Sequence, residues 1–176
     1  MRKLLLFCPS TLLLLALSAC SGGMNTGTGT STGIVSAQTT YSNSSLSGTY
    51  SVTLVNTFGQ EGQVYLGNGT VGYTGVGTIQ LNGAGAITGG TMNLYISGDP
   101  APPPASAPAP CPFSVTGTYS VQSTALGTAT LNLSSSASGC VTSENWQLAF
   151  AAADGGEAIQ FVRTDGELTS GSAIKQ

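Results

Sequence analysis

Phe113-Ser-Val-Thr-Gly-Thr-Tyr-Ser-Val-Gln-Ser-Thr-Ala-Leu-Gly-Thr-Ala-Thr-Leu-Asn-Leu133 is the stretch that decides the fold of this chain. Phe113, Val115, Tyr119 and Val121 recur at even spacing, as do Ala129, Leu131 and Leu133, and mostly hydroxyl or amide residues stand between them. A period of two puts one set of side chains on each face of a strand, so each run reads as a strand with one buried face. Helical spacing, three to four residues, is sustained nowhere in the sequence.

The same alternation spreads outward in both directions. Tyr50, Val52 and Leu54 show it, as do Met92, Leu94 and Ile96, then Trp146, Leu148 and Phe150, and finally Ile159 and Phe161. Between the runs stand Asn82-Gly83, Ser138-Gly139, Asp154-Gly155-Gly156 and Asp165-Gly166, where glycine supplies the positive φ of short hairpin turns. Eight strands are read at about 47–55, 70–82, 86–96, 113–121, 126–134, 144–152, 157–165 and 168–175, with a short extra strand at 62–67 containing Val64 and Leu66. Residues 46–176 thus form one all-β domain. An even set of antiparallel strands with its ends near both termini removes its edges by closing, so an up-and-down barrel is the first reading and a two-sheet β-sandwich the alternative. The proline-rich stretch at 99–112 is read as a stiff exposed loop inside that domain, because neither half has enough strands to bury an apolar face alone.

Internal echoes support a meander of related hairpins. Gly48-Thr-Tyr-Ser-Val52 returns as Gly117-Thr-Tyr-Ser-Val121, and Gly77-Thr-Ile-Gln-Leu81 is echoed by Gly127-Thr-Ala-Thr-Leu131. Leu46-Ser-Gly-Thr-Tyr-Ser-Val52, with Gly75-Val-Gly-Thr-Ile-Gln-Leu81 and Gly85-Ala-Ile-Thr-Gly-Gly90, resembles a family of uncharacterised exported bacterial lipoproteins whose repeats run LxGxYxF, GxGxF and DGxGxIxGG. The resemblance spans about residues 46–175 and departs at Asn82-Gly-Ala-Gly85, where the family often carries an acidic turn. It implies a calycin-like small barrel in a surface or periplasmic setting and carries no activity.

Residues 1–19 read as a signal peptide: Arg2 and Lys3 lead into an apolar stretch from Leu4 to Leu17, which ends in Ser18-Ala19-Cys20. That stretch is short of the roughly 20 apolar residues a membrane span requires. Leu17-Ser-Ala-Cys20 resembles the lipobox of bacterial lipoproteins, which makes Cys20 the lipidated residue. An ordinary signal site would want a small residue where Leu17 stands, and the site after Val35-Ser36-Ala37 lies too far beyond the apolar run. Acyl chains such as palmitate on Cys20 would anchor the protein to the cell envelope. Ser21 after the cysteine favours the outer membrane in enteric-type sorting. The uncharged Gly/Ser/Thr stretch at 20–45 reads as a flexible tether.

Removing Arg2 and Lys3 leaves Arg163 and Lys175 against seven carboxylates, a net charge near −5. Nucleic-acid binding, which needs clustered cations, is disfavoured. Cys111 and Cys140 remain as thiols in an oxidising compartment and are expected to form a disulfide at the base of the 113–134 hairpin. Closing a loop of that size stabilises by roughly 3 to 4 kcal/mol in the chain-entropy view.

No catalytic constellation emerges. Gly29-Thr-Ser-Thr-Gly33 matches a nucleophile elbow, but the chain has no histidine to take the serine proton. Gly67-Asn-Gly-Thr-Val-Gly72 matches a dinucleotide fingerprint and is followed by a strand rather than a helix. Calcium at Asp154-Gly-Gly-Glu157 or Asp165-Gly-Glu167 is a remote reading, and Glu144 with Glu157 beside Trp146 is a remote carboxylate-hydrolase reading. The sequence implies no metal and no cofactor. A non-catalytic barrel is expected, and its inward Tyr50, Tyr119, Trp146, Phe150 and Phe161 either fill the interior or line a site for a small apolar ligand. With the interior filled, the insertion at 57–75 and the proline-rich loop become the surfaces offered to an envelope protein or glycan partner.

Overall fold

A computed structural model of the chain describes residues 40–56, 64, 72–97 and 109–176. Eight strands follow in order: β1 (Ser47–Asn56), β2 (Gly72–Asn82), β3 (Ala86–Ser97), β4 (Cys111–Val121), β5 (Leu126–Ser134), β6 (Ser143–Ala153), β7 (Ala158–Arg163) and β8 (Thr169–Lys175). Each pairs antiparallel with the next, and β8 returns to β1, from Lys175 opposite Tyr50 to Thr169 opposite Asn56. The sheet is a closed up-and-down barrel, and closure excludes the sandwich. Cys111 shares its parity with Phe113 and lies inside, so β4 begins within the stretch read as a proline-rich loop, with Pro112 opposite Asn93. The extra strand at 62–67 lies outside the described residues except at Val64, which is a buried bend.

Alternation sorts the side chains as the period of two requires. Tyr50, Val52 and Leu54 face inward on β1, Phe113, Val115 and Tyr119 on β4, and Trp146, Leu148 and Phe150 on β6, all buried. Glycines among the inward positions make room for these bulky neighbours. A Cβ at Gly127 would overlap the ring of Phe150, its cross-strand partner, and one at Gly171 would overlap Phe161, likewise directly opposite. Each ring lies over a glycine, a device by which aromatics rescue weak strand positions and let a sheet curve. Outward positions of the described strands carry no charged side chain; Ser51, Thr53, Thr116, Thr118, Thr128 and Asn132 are typical. An apolar inside with a largely hydroxyl-bearing outside, interrupted by exposed Val55, Val76, Leu126, Val162 and Ile174, is the reverse of the pattern of a membrane-spanning barrel.

The two ends of the barrel differ. Where β1 starts, three short connections join β2 to β3, β4 to β5 and β6 to β7. This is the turn end. Where β1 finishes, the chain leaves for residues 57–71, 98–110, 135–142 and 164–168. This is the loop end, where residues 57–63, 65–71 and 98–108, outside the described residues, attach.

The turn end is capped by residues read as tether. A short 3-10 turn, Asn43–Ser45, leads Leu46 into the core, where it is 1% exposed. Tyr119 donates its hydroxyl to the Leu46 carbonyl at 2.6 Å, and the Val121 N–H donates to Asn43 Oδ1 at 2.9 Å. Tyr41 Oη accepts from the Gly155 N–H at 3.1 Å. Residues 41–45, read as part of the tether, therefore pack on the barrel. Nothing in this polar stretch shows amphipathic periodicity, because its order comes from partners on β4 and the β6–β7 turn.

Candidate functional site

Arg163 is the last residue of β7 and keeps the inward parity of Ile159 and Phe161, which carries a cation into the loop end of the barrel. Its side chain is 5% exposed. A buried cation is tolerable only when paired and hydrogen-bonded, and the turn after β7 supplies the partners. Asp165 receives Nε at 2.9 Å and NH2 at 2.8 Å, a bidentate fork, while NH1 donates to Glu167 and, at 3.0 Å, to Tyr73 Oη. The guanidinium lies 4.6 Å from the centre of the Trp146 ring, and Tyr73 stacks against the same indole with centroids 6.1 Å apart. The network continues inward: Tyr73 Oη is 3.2 Å from Thr169 Oγ1, which accepts from Asn56 Nδ2 at 2.9 Å. Asn56 and Thr169 are both buried.

The electrostatics follow from this packing. Burial opposes the Arg163 charge, but the Asp165 hydrogen bond with the Tyr73 and Glu167 interactions outweighs it and holds its pKa above the ordinary arginine value. Burial pushes the Tyr73 hydroxyl up to about 12, against the pull of Thr169 and Arg163, so it stays protonated. Burial also raises Glu144 and Glu167, each opposed by Arg163. Asp165 goes the other way: burial is outweighed by the Arg163 hydrogen bond and the Gln147 N–H, and its pKa falls below the usual carboxylate value. Trp146 Nε1 and Asn56 Oδ1 are buried without a hydrogen-bond partner among the described residues. The space among Tyr73, Leu94, Glu144, Trp146, Arg163 and Glu167 does not admit a water-sized molecule.

The five aromatics proposed as ligand-lining residues do not converge on one site. Tyr50 is committed to the turn end, where its hydroxyl, its pKa raised by burial to about 12, donates to the Gly156 carbonyl at 2.6 Å. Trp146 sits under Arg163 at the other end. Tyr119, Phe150 and Phe161 border a wholly apolar internal cavity of about 40 Å³. Pockets that hold small organic ligands run from roughly 300 to 1,000 Å³. Glu144 and Glu157 stand at opposite ends of β6 and β7, not side by side, so they flank no common bond. Glu157 pairs instead with Lys175 at 3.1 Å, and Asp165 and Glu167 are engaged by Arg163. Among the described residues no group of three His, Cys, Asp or Glu side chains is placed to hold a metal ion. Cys111 and Cys140 form the disulfide, with Cα atoms 5.8 Å apart. Cys20, Gly29–Gly33, residues 67–71 and most of the proline-rich loop lie outside the described residues.

Sequence reasoning missed two features. The Arg163 cluster was legible only as parity, since Arg163 continues the inward row of β7. The second is an open groove of about 630 Å³ on the outer wall, where Val55, Leu126, Ala149, Ala151 and Val162 adjoin Gln160, Ser170 and Ser172. Its signal was the outward parity of Val55, Leu126 and Val162. Comparison with known protein families, curated proteins and solved structures finds no match to this chain.

Proposed function

We propose that this chain is an exported lipoprotein, anchored to the cell envelope through acylated Cys20, whose barrel is a non-catalytic scaffold that presents its loop end to a macromolecular partner. The observation that carries the reading is the filled interior. A cavity of about 40 Å³ is smaller by nearly an order of magnitude than a small-molecule pocket, which argues against the carrier alternative. Further support comes from the asymmetry of the ends, since the long connections attach where the disulfide and the Arg163 cluster make a rigid platform. The resemblance to exported lipoproteins and the lipobox-like Leu17-Ser-Ala-Cys20 support the address.

Two measurements test this. Cys20→Ala is expected to move the protein from the membrane to the soluble exported fraction, and retention in detergent-extracted membranes would overturn the anchor. Native mass spectrometry of the protein purified from its own membrane is expected to show no small molecule inside. A stoichiometric apolar ligand whose removal lowers the melting temperature would replace the scaffold reading with the carrier one.

A further inference from the structure

We propose that the Cys111–Cys140 disulfide is a local clasp, seating the β5–β6 connection so that this connection holds Val64 in the apolar core at the loop end. Cys111 is the first residue of β4, and both half-cystines are buried in the same core as Val64, which is 0% exposed. One residue beyond Cys140, the Val141 N–H donates to the Val64 carbonyl at 3.1 Å.

Among the described residues, the other hydrogen bonds of the connection, residues 135–142, are internal to it. The Ser135 N–H donates to the Thr142 carbonyl at 2.9 Å, the Cys140 N–H to the Ala137 carbonyl at 3.2 Å, and the Ala137 N–H to Ser135 Oγ at 3.2 Å. Among the described residues, its ties to the rest of the barrel are therefore the disulfide, the Val141 to Val64 hydrogen bond and the apolar contacts of Cys140 and Ala137. The eight-strand ladder does not pass through it. Val64 stands midway between β1 and β2, so fixing it fixes one point of the long connection at this end.

A disulfide that acts only through the unfolded chain raises the free energy of that chain, so its loss lowers protection equally at every amide that exchanges by global unfolding. A clasp protects a local opening unit, and its loss releases that unit ahead of the rest. Amide hydrogen exchange on the full exported chain separates the two, with Val141 reporting on the connection and Leu131 and Leu148 on the barrel. In Cys111→Ala/Cys140→Ala, Val141 is expected to accelerate at least about tenfold more than Leu131 and Leu148. Equal acceleration of all three amides, or unfolding of the double variant, would show a global staple and overturn the proposal. Val64→Ala, with the disulfide intact, isolates the other half of the device. It is expected to speed exchange at Val141 and leave Leu131 unaltered, and unchanged protection at Val141 would overturn the role given to Val64.

Discussion

The turn end and the loop end close the same barrel by different chemistry. At the turn end the connections are short, the N-terminal segment lies across the opening, and neutral bonds from Tyr50 and Tyr119 hydroxyls to backbone carbonyls complete the seal. At the loop end the connections are long, and among the described residues the rim is held by side chains: an arginine with two carboxylates, two stacked aromatics and a disulfide, with Val64 buried beside them. The difference teaches that one barrel can be held at its two rims by different means. The turn end buries neutral hydroxyls bonded to backbone carbonyls and leaves its ion pair, Lys175 with Glu157, toward solvent, whereas the loop end buries a cation in a polar network over an apolar floor.

The comparison breaks first at Arg163. Arg163→Ala leaves Asp165 and Glu167 without their cation and bares the Trp146 face, a loss of about 3 to 5 kcal/mol, read as a shift in the denaturant midpoint. A cost no larger than that of a turn-end substitution would mean that the two ends are held alike. Tyr119→Phe is the matching turn-end change. It removes one hydroxyl bond to the Leu46 carbonyl and is expected to cost about 1 kcal/mol, again by denaturant unfolding.

Titration sharpens the comparison, because the shifted carboxylates cluster at the loop end. Glu144 and Glu167 have raised folded pKa values, so the native state binds protons more tightly, and stability rises as the pH falls through those values toward about 4.3, the unfolded glutamate value. Asp165 has a lowered folded pKa, so its contribution is complete above about 3.9, the unfolded aspartate value, and is lost as the pH falls further through the folded one. Melting temperature against pH should therefore peak in the weakly acidic range and fall below it. Glu144→Gln/Glu167→Gln should flatten the rise and keep the fall. The smallest effect is expected on the outer wall. Leu126→Thr, at a residue 55% exposed, should alter stability by no more than about 0.5 kcal/mol, measured by thermal melting.

Strand order and inward faces were legible because period two is a local property of the chain, and Tyr50, Trp146 and Phe161 each mark their own strand. The β4–β5 turn was legible as a break between runs, but not in its detail. Ala125 there adopts a φ of 71°, a left-handed conformation that the composition signals for glycine. The candidate site was legible least. The spacing couples Glu144 to Glu157, yet antiparallel β6 and β7 place the start of β6 and the residue before β7 at opposite ends of the barrel. Glu144 instead borders the same space as Trp146, Arg163 and Glu167, although Arg163 pairs with Leu148, midway along β6, so the side chains and not the backbone partners decide this grouping.

By itself the sequence determined the alternation, the eight strands, the pairing of the only two cysteines within the domain and the scarcity of charge, all of which depend on residue type and spacing along one chain. Tertiary structure alone decided between the barrel, read first from the sequence, and the sandwich, that residues from Thr40 onward cap the turn end, and that Arg163, Tyr73, Trp146 and Glu167 meet. The geometry of closure is why the rim contacts were out of reach. It removes every free edge at once, so the wall needs no charged residues to discourage edge pairing. It also fixes, through shear and register, which side chains from distant strands share a rim, a property of the closed sheet and not of any strand within it.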